Sequence, residues 1–233
     1  MKKIKFYSVG IGPDPVPAKT TIPQWYKDIS LYNASNNLTD VNVNNYGNGI
    51  DGSAISLKVC SPTFDAFASG YQFVMPEDIT VEINDKGIPE MSWESKSFTI
   101  NRMPMVEFPI PPFYHPIAFA FRMMFGVSTP PGTSVLVTHP FNRVDLPFYV
   151  PTAIVDSDKK FPPADIRFVI KRDFEGVIKK GTPIFQILPF TRESWKMEID
   201  NSITEEKMWE HENRRMFIHS WYTKNLQTIK EYN

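Results

Sequence analysis

The sequence contains a single cysteine, Cys60, among 233 residues. One thiol cannot form an intramolecular disulfide, so the cysteine content gives no sign of an oxidising compartment. No segment approaches the roughly 18 apolar residues that a transmembrane helix needs. The first residues, Met-Lys-Lys-Ile-Lys-Phe-Tyr, lack the apolar core of a signal peptide. These absences predict a cytoplasmic chain with no membrane partner.

A strong excess of charge of either sign is also missing. The 25 Lys and Arg residues nearly balance the 26 Asp and Glu residues, which leaves a formal net charge of −1. Basic residues do not alternate with aromatic residues as they do in nucleic-acid-binding surfaces. The only hint of a phosphate-binding loop is Gly10-Ile-Gly12, which is too short for that motif and is followed by proline. We therefore predict no nucleic-acid partner and no cofactor.

Proline is abundant where glycine is not, with 21 prolines against 11 glycines, and aromatic residues make up 14% of the chain. Prolines spread along an aromatic-rich chain disfavour long helices and a doubly wound sheet. They suit short strands joined by shaped loops. The composition thus predicts a mainly β fold.

Alternation of apolar and polar residues locates many of these strands. Tyr71, Phe73 and Met75 alternate with Gln72 and Val74, which is the period of a half-buried strand. Residues 84–87, Asn-Asp-Lys-Gly, have the composition of a hairpin turn. The same reading predicts strands at residues 3–9, 55–59, 71–75, 79–83, 88–93, 97–100, 134–138 and 165–171.

Two segments depart from this pattern. Residues 33–53 are rich in Asn, Gly, Ser and Asp and are predicted to form a flexible loop within a single β-rich domain spanning residues 1–199. Residues 203–232 contain no proline or glycine, and Trp209, Met216 and Phe217 recur at helical spacing. Ser202 and Glu205 form a capping-box pattern at its start. We predict a long amphipathic helix over residues 200–233, packed on the domain or on a neighbouring subunit.

Polar residues of the kinds used for binding and catalysis gather between residues 139 and 192. Asp156 follows a predicted strand, where a carboxylate can be part-buried with a raised pKa and act as a general base. The accompanying candidates for ligand binding are His139, Asn142, Arg143, Asp145, Asp158 and Arg192. The alternative is that Arg143 and Arg192 pair with these carboxylates and hold loops together.

Histidine spacing gives no support for a metal site. The four histidines are His115, His139, His211 and His219, and none belongs to a His-x-His or His-Glu-x-x-His pattern. We predict no metal.

Three segments resemble the dUTPase family in the order in which they occur. Ala153-Ile-Val-Asp156-Ser-Asp158 is similar to the motif in which a strand places an Asp beside the nucleotide sugar. Gly181-Thr-Pro-Ile-Phe-Gln186-Ile-Leu resembles the turn and strand that follow it, and Ala68-Ser-Gly70-Tyr71-Gln72 resembles the first motif region. The resemblance implies a β-clip fold, which is a barrel-like body of short antiparallel strands that often trimerises.

The sequence departs from that family at the positions of the family's catalytic and nucleotide-binding motifs. Gln72 stands in place of an acidic residue, residues 131–143 supply no Arg-Ser phosphate motif, and a predicted helix replaces the glycine-rich C-terminal arm. Only Asp156 matches the position of a catalytic residue. A wider set of four segments consists of Thr138-His-Pro-Phe-Asn-Arg, Val155-Asp-Ser-Asp, Phe174-Glu-Gly-Val-Ile-Lys-Lys-Gly-Thr-Pro-Ile and Pro189-Phe-Thr-Arg-Glu-Ser-Trp. This set more closely resembles an uncharacterised group of phage and bacterial proteins with no assigned activity, and that resemblance covers most of the chain. This second resemblance implies a bacteriophage origin.

Two functions are consistent with these residues. The first is a non-enzymatic structural or interaction protein that assembles as a homo-oligomer or onto a larger particle such as a virion. The alternative is a binder or hydrolase of a nucleotide-like small molecule, with a degenerate dUTPase-like site at a subunit interface and Asp156 at its centre.

Overall fold

The computed structural model of the chain describes residues 2–8, 13–30, 32–33, 54–94, 98–103, 109–122, 125–159, 165–217 and 224–232. Strands account for 38% of the described residues and helices for 18%, so the described part of the chain is mainly β as predicted. Every pair of neighbouring strands in the described part of the chain is antiparallel. The predicted loop at residues 33–53 lies almost wholly outside the described residues.

The strands are short, which agrees with the spacing of prolines and turns. They are β1 Lys5–Ser8, β2 Val16–Pro17, β3 Tyr32–Asn33, β4 Ala54–Ile55, β5 Tyr71–Val74, β6 Ile79–Ile83, β7 Pro89–Ser92, β8 Thr99–Met103, β9 Tyr114–Arg122, β10 Phe125–Ser128, β11 Thr133–Thr138, β12 Phe148–Tyr149, β13 Ala153–Val155, β14 Asp165–Lys171, β15 Gly176–Ile178 and β16 Pro183–Thr191. The α helices are α1 Gln24–Asp28, α2 Ser61–Ala68 and α3 Glu205–Phe217, and the 3-10 helices are Ala18–Thr21 and Leu57–Val59.

The chain divides into two compact units. Unit 1 contains Met1–Thr21, Phe67–Arg192 and Tyr232–Asn233, and unit 2 contains Ile22–Ala66 and Glu193–Glu231. This division differs from the predicted one, in which residues 1–199 form one domain. Within unit 2, the Lys230 ammonium forms an ion pair with the Asp65 carboxylate, which joins the early segment to the C-terminal one.

A five-stranded sheet in unit 1 has the order β13-β11-β16-β5-β2. The predicted site residues Asp156, His139 and Arg192 directly follow its strands β13, β11 and β16. Its central pair aligns Val135 of β11 with Pro189 of β16 and Val137 with Ile187. On the other side of β11, Val135 aligns with Val155 of β13. Because side chains alternate along a strand, these residues point to one face of the sheet. Val135, Val137 and Ile187 are buried there in the apolar core.

The rest of unit 1 supplies the other walls of that core. A four-stranded sheet has the order β12-β14-β9-β8, and a three-stranded sheet has the order β15-β6-β7. Phe121 and Phe168 stack with ring centroids 4.2 Å apart, and Phe73 stacks on Phe185 at 4.8 Å. Such pairs add about 0.5–1.5 kcal/mol beyond the burial of their area. The core is thus built from aromatic side chains on short strands.

The predicted hairpin turn at residues 84–87 is confirmed between β6 and β7. The Gly87 amide donates to the Asn84 carbonyl at 2.8 Å, and the Asn84 side chain accepts from the amides of Lys86 and Ile88 at 3.0 Å each. Gly87 has φ of +71°, which glycine adopts without a steric penalty. The turn aligns Val81 with Met91.

The predicted strand at residues 55–59 is wrong beyond its first residue. Only Ala54–Ile55 pairs as β4, and Leu57–Val59 forms a 3-10 helix. The Ser56 hydroxyl accepts a hydrogen bond from the Lys58 amide at 3.3 Å. This local bond offers the backbone an alternative to strand pairing.

The C-terminal helix is shorter than predicted. Helix α3 covers Glu205–Phe217, which is 13 residues, and residues 227–232 are not helical. The helix also begins later than the capping box at Ser202 predicted, because its cap is Thr204. The Thr204 hydroxyl accepts a hydrogen bond from the Lys207 amide at 3.4 Å. The Ser202 amide instead donates to the Asp200 carboxylate at 2.8 Å. No helix in the described part of the chain is long and apolar enough to span a membrane.

Candidate functional site

Asp156 follows the end of β13, which is an outer strand of the five-stranded sheet. The pairing of Val155 with Val135 places Asp156 opposite Ser134, the second residue of β11. The Ser134 hydroxyl donates to Asp156 Oδ1 at 2.7 Å. The backbone register therefore fixes this contact between residues that are 22 positions apart.

The Arg192 guanidinium joins this pair from the end of the neighbouring strand β16. Its Nη1 donates to Ser134 Oγ at 2.9 Å, to Asp156 Oδ1 at 3.1 Å and to Asp158 Oδ1 at 3.1 Å. Its Nη2 donates to Asp158 Oδ2. We call Ser134, Asp156, Asp158 and Arg192 the Arg192 cluster.

A short turn before β11 completes the binding of Asp158. The Gly132 amide donates to Asp158 Oδ2 at 3.0 Å, and the Gly132 carbonyl accepts from the Arg192 amide at 2.8 Å. The pKa of Asp158 is lowered to about 2, mainly by the hydrogen bond from Arg192 and to a smaller extent by that from Gly132. Partial desolvation opposes this shift. The same pairing with Asp158 raises the pKa of Arg192. The cluster holds one cation against two carboxylates.

The two carboxylates differ in their exposure to solvent. The Asp158 side chain is 9% exposed, whereas the Asp156 side chain is 53% exposed. The sequence predicted a part-buried Asp156 suited to general-base work. The structure corrects the expected burial of Asp156, and its role as a general base stays a prediction.

The remaining predicted residues form a second group in the loop after β11. Arg143 makes a two-point ion pair with Asp145, with Nε to Oδ1 and Nη2 to Oδ2 both at 2.9 Å. His139 Nε2 donates to the Arg143 carbonyl at 3.0 Å. Asn142 is exposed and has φ of +58°, a conformation that asparagine tolerates better than most residues. We call His139, Asn142, Arg143 and Asp145 the Arg143 loop.

His139 is the most enclosed ionisable side chain of the Arg143 loop. Its ring lies 5.5 Å from the Tyr149 ring and 6.0 Å from the Phe148 ring, between centroids. Burial is the main cause that lowers the pKa of His139. Its Nδ1 atom is buried and has no hydrogen-bond partner among the described residues. The neutral ring with a proton on Nε2 fits this environment.

The structure does not bring the two groups together. Ser134 and His139 lie toward opposite ends of β11, and five residues of strand span about 16 Å. Asp156 is hydrogen-bonded to Ser134, at the far end from His139. The predicted constellation is therefore two separate ion-pair clusters, each of which ties loops to the sheet. A ligand-binding role for these residues remains a prediction.

A third polar group was not predicted as a site. Gln72 and Gln186 are buried opposite each other on β5 and β16, and Gln72 Nε2 donates to Gln186 Oε1 at 3.0 Å. The same Gln186 oxygen accepts from the Phe141 amide at 3.0 Å, and Gln186 Nε2 donates to the Ser69 carbonyl at 2.6 Å. The Thr21 hydroxyl donates to Gln72 Oε1. Of the residues singled out in the sequence, Gln72 alone pointed toward this group, and only as a departure from the expected resemblance, which remains a prediction.

The described residues contain no group of three or more His, Cys, Asp or Glu side chains arranged to hold a metal ion. Comparison with known protein families and with curated proteins found no match to this chain. What the described geometry offers is a set of polar clusters whose charged and amide groups are already paired within the protein.

Proposed function

We propose that this protein is a non-enzymatic assembly protein that forms homo-oligomers through its C-terminal segment, residues 193–231. The observation that carries the proposal is the exposure of apolar side chains there. Of the sixteen large apolar side chains that are exposed in the described part of the chain, eight belong to this segment: Trp195, Met197, Ile199, Ile203, Met208, Trp209, Leu226 and Ile229. Concentrated apolar exposure of this kind marks an interaction surface.

The degree of exposure is what makes this segment unusual. Trp195 is 87% exposed, Met197 is 83% exposed and Ile229 is 93% exposed. Single exposed apolar residues are normal on a protein surface, but tryptophan and methionine are enriched at interfaces. A chain that buries a large aromatic core elsewhere has no folding reason to leave these side chains in water. A second copy of the chain would cover them.

We also propose that unit 1 is a β-clip. In support, the segments that carry the dUTPase resemblance share one sheet: β5 follows Gly70, β13 precedes Asp156, and β16 follows Gly181. The strands are short and antiparallel, as the β-clip requires. The resemblance to phage and bacterial proteins extends the proposal to a bacteriophage-encoded protein that acts in the host cytoplasm or in the virion.

The alternative, a binder or hydrolase of a nucleotide-like molecule with a degenerate dUTPase-like site, has weaker support. A nucleotide would need Asp156 or Asp158 to be available, and both carboxylates are paired with Arg192. An acidic residue at position 72 is also missing, and Gln72 is bonded to Gln186. These occupied groups favour assembly over catalysis.

The oligomeric state of the full-length chain tests the proposal. We expect light scattering after size exclusion to give a dimer or larger species at micromolar concentration. The quadruple variant Trp195→Ser/Ile203→Ser/Met208→Ser/Trp209→Ser should dissociate, with an affinity at least about a hundredfold lower, because four apolar side chains per copy lose their burial.

The matched control is Val144→Ser/Ile154→Ser, which removes two exposed apolar side chains from unit 1 and should leave the oligomer intact. A monomeric wild-type protein would overturn the proposal. A thermal shift with nucleoside triphosphates and Mg²⁺ that is lost in Asp156→Asn would favour the alternative instead.

A further inference from the structure

We infer that residues 193–200 of two copies pair as antiparallel β-strands about a two-fold axis at Met197. This inference rests on the proposed assembly through the C-terminal segment and names the contact that begins it. We call residues 193–200, Glu-Ser-Trp-Lys-Met-Glu-Ile-Asp, the arm.

The arm has the pattern of a strand but has no strand partner. Trp195, Met197 and Ile199 alternate with Lys196, Glu198 and Asp200, so one face is apolar and the other is charged. The three apolar side chains are 87%, 83% and 72% exposed in that order. Within the described part of the chain, no hydrogen bond uses a backbone group of residues 193–200. An unpaired strand edge of this type is a template for pairing with another chain.

Charge selects the direction of the pairing. In a parallel, in-register pair, Lys196 would face Lys196 of the other copy and Glu198 would face Glu198. Like charges directly opposite each other destabilise a sheet, whereas opposite charges stabilise it by roughly 0.2–1 kcal/mol per pair. In an antiparallel pair centred on Met197, each Lys196 faces Glu198 of the other copy. The two-fold axis generates this attractive pair twice.

Charge also selects the register. Shifting the centre to Lys196 places the two lysines opposite each other, and shifting it to Glu198 places the two glutamates opposite each other. A centre between two residues would align apolar with polar side chains, because a one-residue slip moves a side chain to the other face. Only the Met197 centre combines two attractive pairs with an unbroken apolar face. That face contains Trp195, Met197 and Ile199 from both copies.

The arm continues into further apolar surface on the same unit. Ile203 is 57% exposed, and Met208 and Trp209 of α3 are 60% and 50% exposed. A two-stranded ribbon alone is marginally stable, so these side chains are needed to extend the interface. Together with the arm they offer on the order of 1,000 Å² per copy, which is comparable with the roughly 800 Å² per partner of stable interfaces.

Cysteine cross-linking tests the register directly. In a Cys60→Ser background, the Met197→Cys variant should give a disulfide-linked dimer under mild oxidation. Residues opposite each other on the axis have Cβ atoms about 4.5–5.5 Å apart, close to the span of a disulfide. The matched control is Ser194→Cys, whose two copies would lie six residues apart, about 20 Å, and should not cross-link.

Charge reversal provides an independent test in the full-length protein. Lys196→Glu and Glu198→Lys, each alone, should weaken self-association about tenfold, because both cross-strand pairs become repulsive. Mixing the two variants should restore wild-type affinity in a heterodimer, since every pair is then attractive. The control is Lys207→Glu, which lies outside the arm. Mixing it with Glu198→Lys should not restore wild-type affinity.

The outcomes separate this inference from the proposed function. An oligomer that neither cross-links through Met197→Cys nor shows the charge rescue would overturn the pairing of the arms and leave assembly intact. A wild-type monomer would overturn both. Lys196, Met197 and Glu198 are exposed, so these substitutions remove no packing on which folding depends.

Discussion

At the scale of single residues, Arg192 is the residue whose contacts explain most of the candidate site. Its guanidinium donates to Ser134, Asp156 and Asp158, and it thereby connects the end of β16 with residues after β13. Charge-assisted bonds of this kind are stronger than neutral ones, but exposure weakens them. The nearly buried Asp158 should therefore contribute more to stability than the exposed Asp156.

We expect Asp158→Asn to lower the unfolding temperature at pH 7. The pKa of Asp158 is lowered in the folded state from 3.8 to about 2, so the ionised form favours folding. The stabilisation is fully present above pH 3.8 and is lost as the pH falls through about 2. Unfolding temperatures of wild type and variant, measured from pH 7 to pH 2, should converge at the acid end.

Asp156→Asn is the control for that measurement, because it removes a carboxylate from the same guanidinium while leaving Asp158 in place. Its effect at pH 7 should be the smaller of the two. An Asp156→Asn effect that equals or exceeds that of Asp158→Asn would show that burial does not decide the strength of these ion pairs.

The buried glutamines show what a sequence can and cannot indicate about a site. The alternation of Tyr71 and Phe73 with Gln72 predicted a half-buried strand, yet Gln72 and Phe73 are both buried, at 3% and 1% exposed. Its partner Gln186 is 114 positions away, and loop residues Ser69 and Phe141 complete its bonds. Periodicity assigns a side chain to a face but does not reveal which loops cover that face.

At the scale of elements, Gly70 controls the approach of β5 to β16. Gly70 has φ of +73°, and a Cβ atom built on it would lie 2.2 Å from the Ile187 carbonyl oxygen. Backbone atoms of a central strand cannot move aside at low cost. We expect Gly70→Ala to destabilise the fold by about 3 kcal/mol or more, measured by urea unfolding, because a steric clash adds to a strained backbone.

Gly87→Ala provides the matched comparison for this prediction. Gly87 has a similar φ of +71°, but no atom lies within 4 Å of the added Cβ position. Its substitution should cost only the left-handed conformation, about 1 kcal/mol. Equal losses in the two variants would mean that the contact with Ile187 does not limit this part of the sheet.

Elements were predictable from sequence where local patterns determine them. The alternating strands at β5, β6, β11 and β14 and the turn at residues 84–87 are confirmed. The C-terminal helix was overpredicted because the absence of proline and glycine permits a helix without stabilising one. Helices need packing of an apolar face, and Met208 and Trp209 of α3 remain exposed. The order of strands within each sheet depends on long-range contacts that periodicity does not contain.

At the scale of the whole molecule, the distribution of apolar surface is the property that most needs a physical account. Unit 1 buries an aromatic core with fully buried Phe73, Phe121, Phe148, Phe168 and Phe185. The C-terminal segment exposes eight large apolar side chains instead. Charge does not oppose association of copies, because the formal net charge of −1 gives little mutual repulsion.

Self-association should therefore couple to thermal stability. If folded copies associate and unfolded chains do not, mass action makes the unfolding temperature rise with protein concentration. For a dimer of this length we expect a rise of about 1–2 °C for each tenfold increase in concentration, from typical unfolding enthalpies per residue. Differential scanning calorimetry between 5-fold and 500-fold dilutions of one stock would measure it.

The quadruple variant Trp195→Ser/Ile203→Ser/Met208→Ser/Trp209→Ser should show no such dependence, whereas Val144→Ser/Ile154→Ser should retain it. A wild-type transition that stays constant across this range would mean that these exposed side chains do not join copies of the chain.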